Sequence, residues 1–433
     1  MPEPAVAYVL KGYPRMSELF IASEIWRLEQ LGLRPRLYVV KSADEPAHHQ
    51  VVDRIVAIPS YLPPTTPLSG QPLLPWLRCN LGAYRPALTR MARRHPLRFA
   101  RALGAAAAQS IRARKGRRPR TVYVKEFLQA VELADRVLTA GGIGRLHAHF
   151  AHGTTTIAWL ASMLSALPFS FTGHAKDIYR DSLNPAGLLA RKMRAADFVV
   201  TCTAANREHL LRIAPGADVE LVYHGLNADF ARLVSETNPA VRSVAGPLRV
   251  TAVGRLVPKK GFDVLVEAIA LLCDGGLDVT LTIAGEDGPA GTPLREQIAD
   301  AGLGEVVQIK GPLSQGELLE LYRGSDVFAL ACRVVDDGDR DGIPNVMVEA
   351  MAAGLPVVST TVSGIPELVR DGSNGLLVPA EDPCLLAGAL LRLATDRELL
   401  HQLGRAAAVT VAEEFDGDLL AKRMGTLFAG PGS

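Results

Sequence analysis

The chain has 433 residues, 48% of them hydrophobic, and a formal net charge of +2. That length exceeds one ordinary core and is comfortable for two. The five cysteines, at 79, 202, 273, 332 and 384, show no paired spacing, which argues against a disulfide framework or a cysteine metal site and suits a reducing cytoplasm. Strand-like and helix-like segments alternate throughout, the pattern of an α/β protein with parallel sheets. The first strand is expected over Ala5–Leu10, a Lys11-Gly12-Tyr13-Pro14 loop follows, and a helix starts at Ser17 with Leu19, Ile25, Leu28 and Leu31 on one face. Further strands are expected at Leu37–Val40, Thr121–Val124, Arg145–Phe150, Phe169–Thr172, Phe198–Thr201 and Glu220–Tyr223. Residues 229–247, with Asn238-Pro239 and Gly246-Pro247, read as a linker. The second half repeats the alternation, with strands near 249–253, 279–284, 306–309, 326–331, 355–360 and 375–378 and helices over 384–428. No apolar run reaches membrane-spanning length without Gly, Pro or charge. The Met-Pro-Glu-Pro-Ala start lacks a basic region and a long apolar core, so no signal peptide is expected.

Two segments carry the chemistry. In the first, Gly342 to Val358 reads Gly-Ile-Pro-Asn-Val-Met-Val-Glu-Ala-Met-Ala-Ala-Gly-Leu-Pro-Val-Val, and seven residues separate Asp341 from Glu349. Glu349 interrupts an apolar helix face, and a carboxylate there needs a partner or a task, because an unpaired buried charge is costly. Pro344 suits a first helical turn, whose free N–H groups make a ready anion site beside Asp341. In the second segment, the strand Leu248–Val253 is followed by Gly254-Arg255-Leu256-Val257-Pro258-Lys259-Lys260-Gly261 and an apolar-faced helix. Positive charge at a helix start opposes the helix dipole, so an anionic partner is the better account of Arg255 and Lys260.

Together these segments resemble the retaining nucleotide-sugar glycosyltransferases of the GT-B fold, which carry an acidic residue, seven others and then Glu, with an Arg and a Lys-Gly upstream. The resemblance is most specific over residues 248–380. It implies two Rossmann-like domains facing across a cleft: an acceptor domain over 1–228, the linker 229–247, a donor domain over 248–405, and terminal helices over 406–433 that cross back to the first domain. It also implies that Arg255, Lys260 and the helix start at Asn345 and Val346 bind the donor diphosphate without a metal, and that Glu349 holds the ribose. Asp341, where the family usually has Glu, would contact the transferred sugar. His174, in Phe171-Thr172-Gly173-His174-Ala175-Lys176-Asp177, matches the family's active-site histidine, and Gly12 its donor-approach loop. The N-terminal Gly-Tyr-Pro-Arg-Met-Ser-Glu-Leu-Phe-Ile and the Gly-Ile-Pro-Asn variant are similar to the colanic-acid, exopolysaccharide-building branch. On that resemblance the chain moves a sugar from a nucleoside diphosphate to a glycan or lipid-diphosphate-linked acceptor, with no cofactor. An epimerase of the same fold and a transferase acting on a small-molecule acceptor are the alternatives.

Rival readings weigh less. Asp337-Gly338-Asp339-Arg340-Asp341-Gly342 opens like a calcium loop, but its twelfth position is Val348 rather than Glu. His147, His149 and His152 suggest zinc, yet no acidic or cysteine ligand neighbours them in the sequence, so core and loop histidines are expected. Between Asp53 and Glu126 there is no acidic residue, while arginines recur from Arg78 to Arg120. This 76–120 stretch favours an anionic partner, a membrane surface or a lipid-diphosphate acceptor, with a solvated basic helical face as the alternative; nucleic acid weighs less because interleaved aromatics are few. Pro86 is expected to break any single helix there. A cytoplasmic enzyme, peripheral on the inner face of the membrane, follows.

Overall fold

The structure is a computed structural model and describes residues 5–15, 18–42, 49–68, 71–114, 116, 118–237 and 246–430. The chain divides into two compact units: 1–202 with 206–222 and 421–433, and 203–205 with 223–420.

The first unit is built on seven strands: β1 (Ala5–Tyr13), β2 (Arg36–Ser42), β3 (Ser60–Tyr61), β4 (Ile143–His149), β5 (Phe169–Gly173), β6 (Val199–Thr201) and β7 (Val219–Leu221). They lie in the order β3-β2-β1-β4-β5-β6-β7, every pair parallel. The second unit holds β8 (Leu248–Val253), β9 (Val279–Ala284), β10 (Val307–Lys310), β11 (Val327–Leu330), β12 (Val357–Thr360) and β13 (Gly375–Val378). Their order, β10-β9-β8-β11-β12-β13, is again all parallel. Both sheets are Rossmann-like: the order reverses beside the first strand, between β1 and β4 and between β8 and β11. In such sheets ligands bind outside the carboxyl ends of the strands at that switch point. Helices cover both faces, so the central strands are near-continuous apolar runs; every β1 residue but Lys11 is buried.

Several expectations change. Thr121–Val124 is not a strand; Val122–Ala140 is one helix. The local β-branched residues favour a strand, but Tyr123, Phe127, Val131 and Ala134 bury one helical stripe, and that packing decides. Pro86 does not break its helix, which runs over Leu73–Arg94. Pro86 and Gly82 lie on the exposed face, where the freed carbonyl reaches water and a glycine crowds the ring least. The break comes at His95, and a second helix runs over Pro96–Arg112. Part of the expected linker is the helix Ala228–Ser235, with Phe230 buried in the second unit's core. Gly12 is not in a turn but in β1, opposite Lys41 of β2. Ser17, Lys115, Arg117, Asn238 and Pro239 lie outside the described residues. The terminal helices are Pro383–Thr395, Arg397–Glu414 and Gly417–Ala429. Within the first unit, the Phe428 ring packs 5.1 Å from His147 and 6.0 Å from Tyr8.

Candidate functional site

In the second unit the two segments singled out in the sequence meet at the switch point. The turn after β8 carries Lys259 and Lys260 in a single 3-10 turn, Pro258–Lys260. Gly261 closes it at φ +64°, and a Cβ there would stand 1.8 Å from the Ala331 carbonyl oxygen. Only glycine lets the β8 turn lie this close to the chain leaving β11. The chain after β11 brings Asp339 and Asp341 onto the two lysines. Lys260 Nζ lies 2.7 Å from Asp341 Oδ2 and Lys259 Nζ 3.0 Å from Asp341 Oδ1, while Lys259 also reaches Asp339 Oδ1 at 3.2 Å. Burial alone would push the Asp341 carboxyl up, but Lys260 and then Lys259 outweigh it and hold the group well below the usual carboxylate range.

Lys260, a candidate for the donor diphosphate, shares its charge here with Asp341. Arg255 is exposed, and no ion pair among the described residues involves it. Asn345 and Val346 open the helix Asn345–Ala352 after Pro344, so no earlier helical carbonyl faces their N–H groups. Glu349 is 3% exposed on that helix. Its partner is neither lysine but Asn227, whose Nδ2 donates to Glu349 Oε1 at 2.6 Å. Burial pushes the Glu349 carboxyl up to about 7, against the pull of that bond. Asn227 opens the helix Ala228–Ser235, just before the 229–247 segment read as linker, and nothing in the local sequence pointed to it.

In the first unit His174 follows β5 and is 9% exposed. Its ring lies 4.7 Å from Phe150, 5.1 Å from Phe20 and 5.8 Å from His149, centroid to centroid. Asp177 Oδ1 accepts its backbone N–H at 2.8 Å. The His147–His149–His152 run does not act as one group. His147 is bonded to Ser170 and Thr172 at 2.9 and 3.0 Å, and burial pushes it down to about 3, so it is neutral. His149 meets Glu24 at 3.2 Å, and Glu24 also accepts from Tyr8 at 2.8 Å. Sequence reading saw no acidic neighbour because Glu24 comes from the helix Leu19–Gln30, far along the chain. Glu24, His147 and His149 offer ligand atoms within 4.8 Å of one another. Each of these groups already has a hydrogen-bond partner within the core, although the His149 Nδ1 is buried without one among the described residues, and the cluster reads as a polar core.

Comparison with known proteins shows the family and the fold. The family model for glycosyl transferases group 1 matches residues 235–410, which include Arg255, Lys260, Asp341 and Glu349. The D-inositol 3-phosphate glycosyltransferase of Corynebacterium glutamicum is 30% identical over 312 residues, 65% of this chain and 71% of that protein. A putative colanic acid biosynthesis glycosyltransferase, WcaL of Salmonella typhimurium, is 36% identical over 192 residues, 44% of this chain and 47% of that protein, so the match spans about half of that relative's length. Among solved structures, Anabaena Alr3699/HepE in complex with UDP and glucose superposes with a TM-score of 0.65 at 17% identity, over 99% of this chain and 100% of that one. That likeness is one of fold, and the fold is GT-B with two parallel-sheet Rossmann-like units. The chain belongs to the glycosyl transferases group 1 family.

Proposed function

We propose that the protein is a retaining glycosyltransferase that moves a sugar from a nucleoside diphosphate to a glycan or lipid-linked glycan in exopolysaccharide synthesis. The observation that carries the reading is the Lys259–Asp341–Lys260 cluster at the second unit's switch point. It sets an ionised carboxylate, two ammonium groups and a helix start together where a phosphosugar would bind. In this reading the donor diphosphate takes up Arg255, the N–H groups of Asn345 and Val346, and a share of Lys260. Charge then develops on the leaving phosphate against fixed donors, which is where preorganised positive groups act most. Asp341, partly released by the phosphate, turns to the transferred sugar. Glu349 accepts from the ribose, and His174 and the Gly12 region serve the sugar and acceptor from the first unit. The leaving phosphate takes the acceptor proton as the acceptor attacks the same face, so configuration is retained. The kinship with WcaL supports a colanic-acid-type polysaccharide product. The boundaries 1–228, 229–247, 248–405 and 406–433 go with the acceptor, linker, donor and cross-back roles.

The test is a panel of nucleoside diphosphate sugars with the full chain, in chelator, with and without a lipid-linked glycan acceptor. Acceptor-dependent transfer that survives chelation is expected. Product without acceptor would point to an epimerase, and turnover restored only by magnesium or manganese would overturn metal independence.

A peripheral membrane site over 76–120 has its own support. No helix among the described residues is long and apolar enough to cross a membrane. On Pro96–Arg112, however, Leu97 is 86% and Ile111 58% exposed, in line with exposed Ala100, Gly104 and Ala107 and flanked by exposed Arg98, Arg101 and Arg112. An apolar stripe edged with arginine suits an anionic bilayer surface. Sedimentation with liposomes should rise with anionic lipid and fall at high salt; equal, salt-insensitive binding to neutral vesicles would refute it.

A further inference from the structure

Behind His174, in the same unit, lies a buried charged network to which the reading above assigns no role. Lys192 is 0% exposed on the helix Leu188–Ala195. Its ammonium donates to the Ala151 carbonyl at 2.5 Å, to Asn184 Oδ1 at 2.7 Å and to Thr156 Oγ1 at 3.3 Å. Asp177, 1% exposed, accepts the N–H of His174 with one oxygen and the N–H of Ala151 with the other. Both backbone polar groups of Ala151 are therefore tied, each to a buried ionisable side chain.

Ala151 stands in a strained turn. Phe150 has φ +73° and Gly153 φ +27°. A bulky residue at positive φ is an outlier that persists only where its surroundings over-determine it. The surroundings here do so. Thr155 Oγ1 donates to the Phe150 carbonyl at 2.6 Å, Thr154 Oγ1 to the preceding His149 carbonyl at 2.5 Å, and the Phe150 N–H reaches the Thr172 carbonyl at 2.9 Å. The turn carries the Phe150 ring that packs on the His174 imidazole. Buried charges are a poor means of stabilising a fold, since well-packed apolar residues do as well or better. Burial pushes the Lys192 ammonium down, opposed by the Glu126 and Asp177 carboxylates. This costly arrangement ends on the backbone around one imidazole.

We propose that Lys192 and Asp177 are positioning residues that act through Ala151 and the Phe150–Gly153 turn to fix the His174 imidazole for the transfer step, without touching substrate. The proposal rests on the reading of His174 as a group facing the sugar. The test uses the full chain with labelled histidines, Lys192→Met, Asp177→Asn and His174→Ala. NMR comes first, with the His174 signal assigned by its loss in His174→Ala. Lys192→Met and Asp177→Asn should move the His174 ring signal and its titration, and leave most of the other nine of the ten histidines in place. In steady state kcat should fall roughly tenfold to a hundredfold while donor KM changes little. Lys192→Met should add no further loss in a His174→Ala background. An unmoved His174 signal, or equal kcat loss in both backgrounds, overturns the proposal. So does failure of both variants to fold, which would make the pair structural. Wild-type turnover in His174→Ala would instead sink the reading of His174 as catalytic, leaving the ring signal to decide the positioning alone.

Discussion

Asp341 and Glu349 are carboxyls of one unit, on either side of a helix start, and both are largely withdrawn from water, yet their ionisation goes opposite ways. Asp341 sits within 3.0 Å of two ammonium groups and stays charged. Glu349 has one neutral amide as partner and is pushed up to about 7. The difference shows that burial sets the cost of a charge while neighbours decide whether it is borne. When two titratable groups are driven apart in this way they suit distinct tasks, and the proposed function gives Asp341 that of a fixed anion at the reacting sugar and Glu349 that of a group that ionises fully only when hydroxyl donors arrive.

The largest effect expected is on the charged side of that comparison. Asp341→Asn should lower kcat with little change in donor KM, because an interaction made only in the transition state appears in turnover. Lys260→Ala and Arg255→Ala should each cost about 10²–10³ in turnover, or roughly 2.7–4 kcal/mol. The two differ in stability: Lys260→Ala leaves Asp341 short of a partner and should lower the melting temperature, whereas Arg255 has no ion pair to lose among the described residues. Near-wild-type turnover in any of the three removes that residue from the phosphates and the sugar.

The next effect is a matter of pH and needs no substrate. Because the folded Glu349 carboxyl is raised from an ordinary 4.5 to about 7, its favourable contribution is complete below 4.5 and is lost as pH rises through 7. The full difference corresponds to about 3 kcal/mol. Glu349→Gln keeps an oxygen for Asn227 and cannot ionise. It should therefore match the wild type near pH 4.5 and be more stable at pH 8 in denaturant titrations, while its donor KM rises. A constant difference across that range would mean the carboxyl is not held up by burial.

The same pair of segments shows what the sequence could reveal. Strand alternation and the spacing of Asp341, Glu349, Arg255 and Lys260 were legible because each lies in a contiguous run whose residue types conflict with their local setting. The contacts that decide ionisation were not. Lys259 was read only as a neighbour of Lys260, and that it grips Asp341 follows from Gly261 letting two switch-point loops touch. Asn227 lies 122 residues from Glu349, and Glu24 125 from His149, distances over which periodicity carries no signal. Thr121–Val124 and Pro86 failed for the opposite reason: local propensity was strong, and packing or exposure on a helix face overrode it.

The smallest effect sharpens the comparison most, because it asks whether the charged side acts as one unit. Lys259 divides its ammonium between Asp341 and Asp339, and the Lys259 and Asp339 side chains are 15% and 18% exposed. Burial lowers the Lys259 ammonium, but Asp341 and then Asp339 raise it above its ordinary value, so it remains charged at any pH where the enzyme would be assayed. If Asp341 is the acting carboxylate and Asp339 only steadies Lys259, Asp339→Asn removes one partly solvated pair. Such a pair contributes about 1 kcal/mol or less, so kcat should fall by less than about tenfold, and by less still at high salt. Freed from Asp339, Lys259 would bind Asp341 more tightly and compete with the sugar for it. A modest loss in Asp339→Asn should therefore be reversed by also replacing Lys259 with Gln. A loss as large as that of Asp341→Asn, unmoved by salt and by the second change, would make the two aspartates and two lysines a single network, in which no one carboxylate could be assigned the sugar.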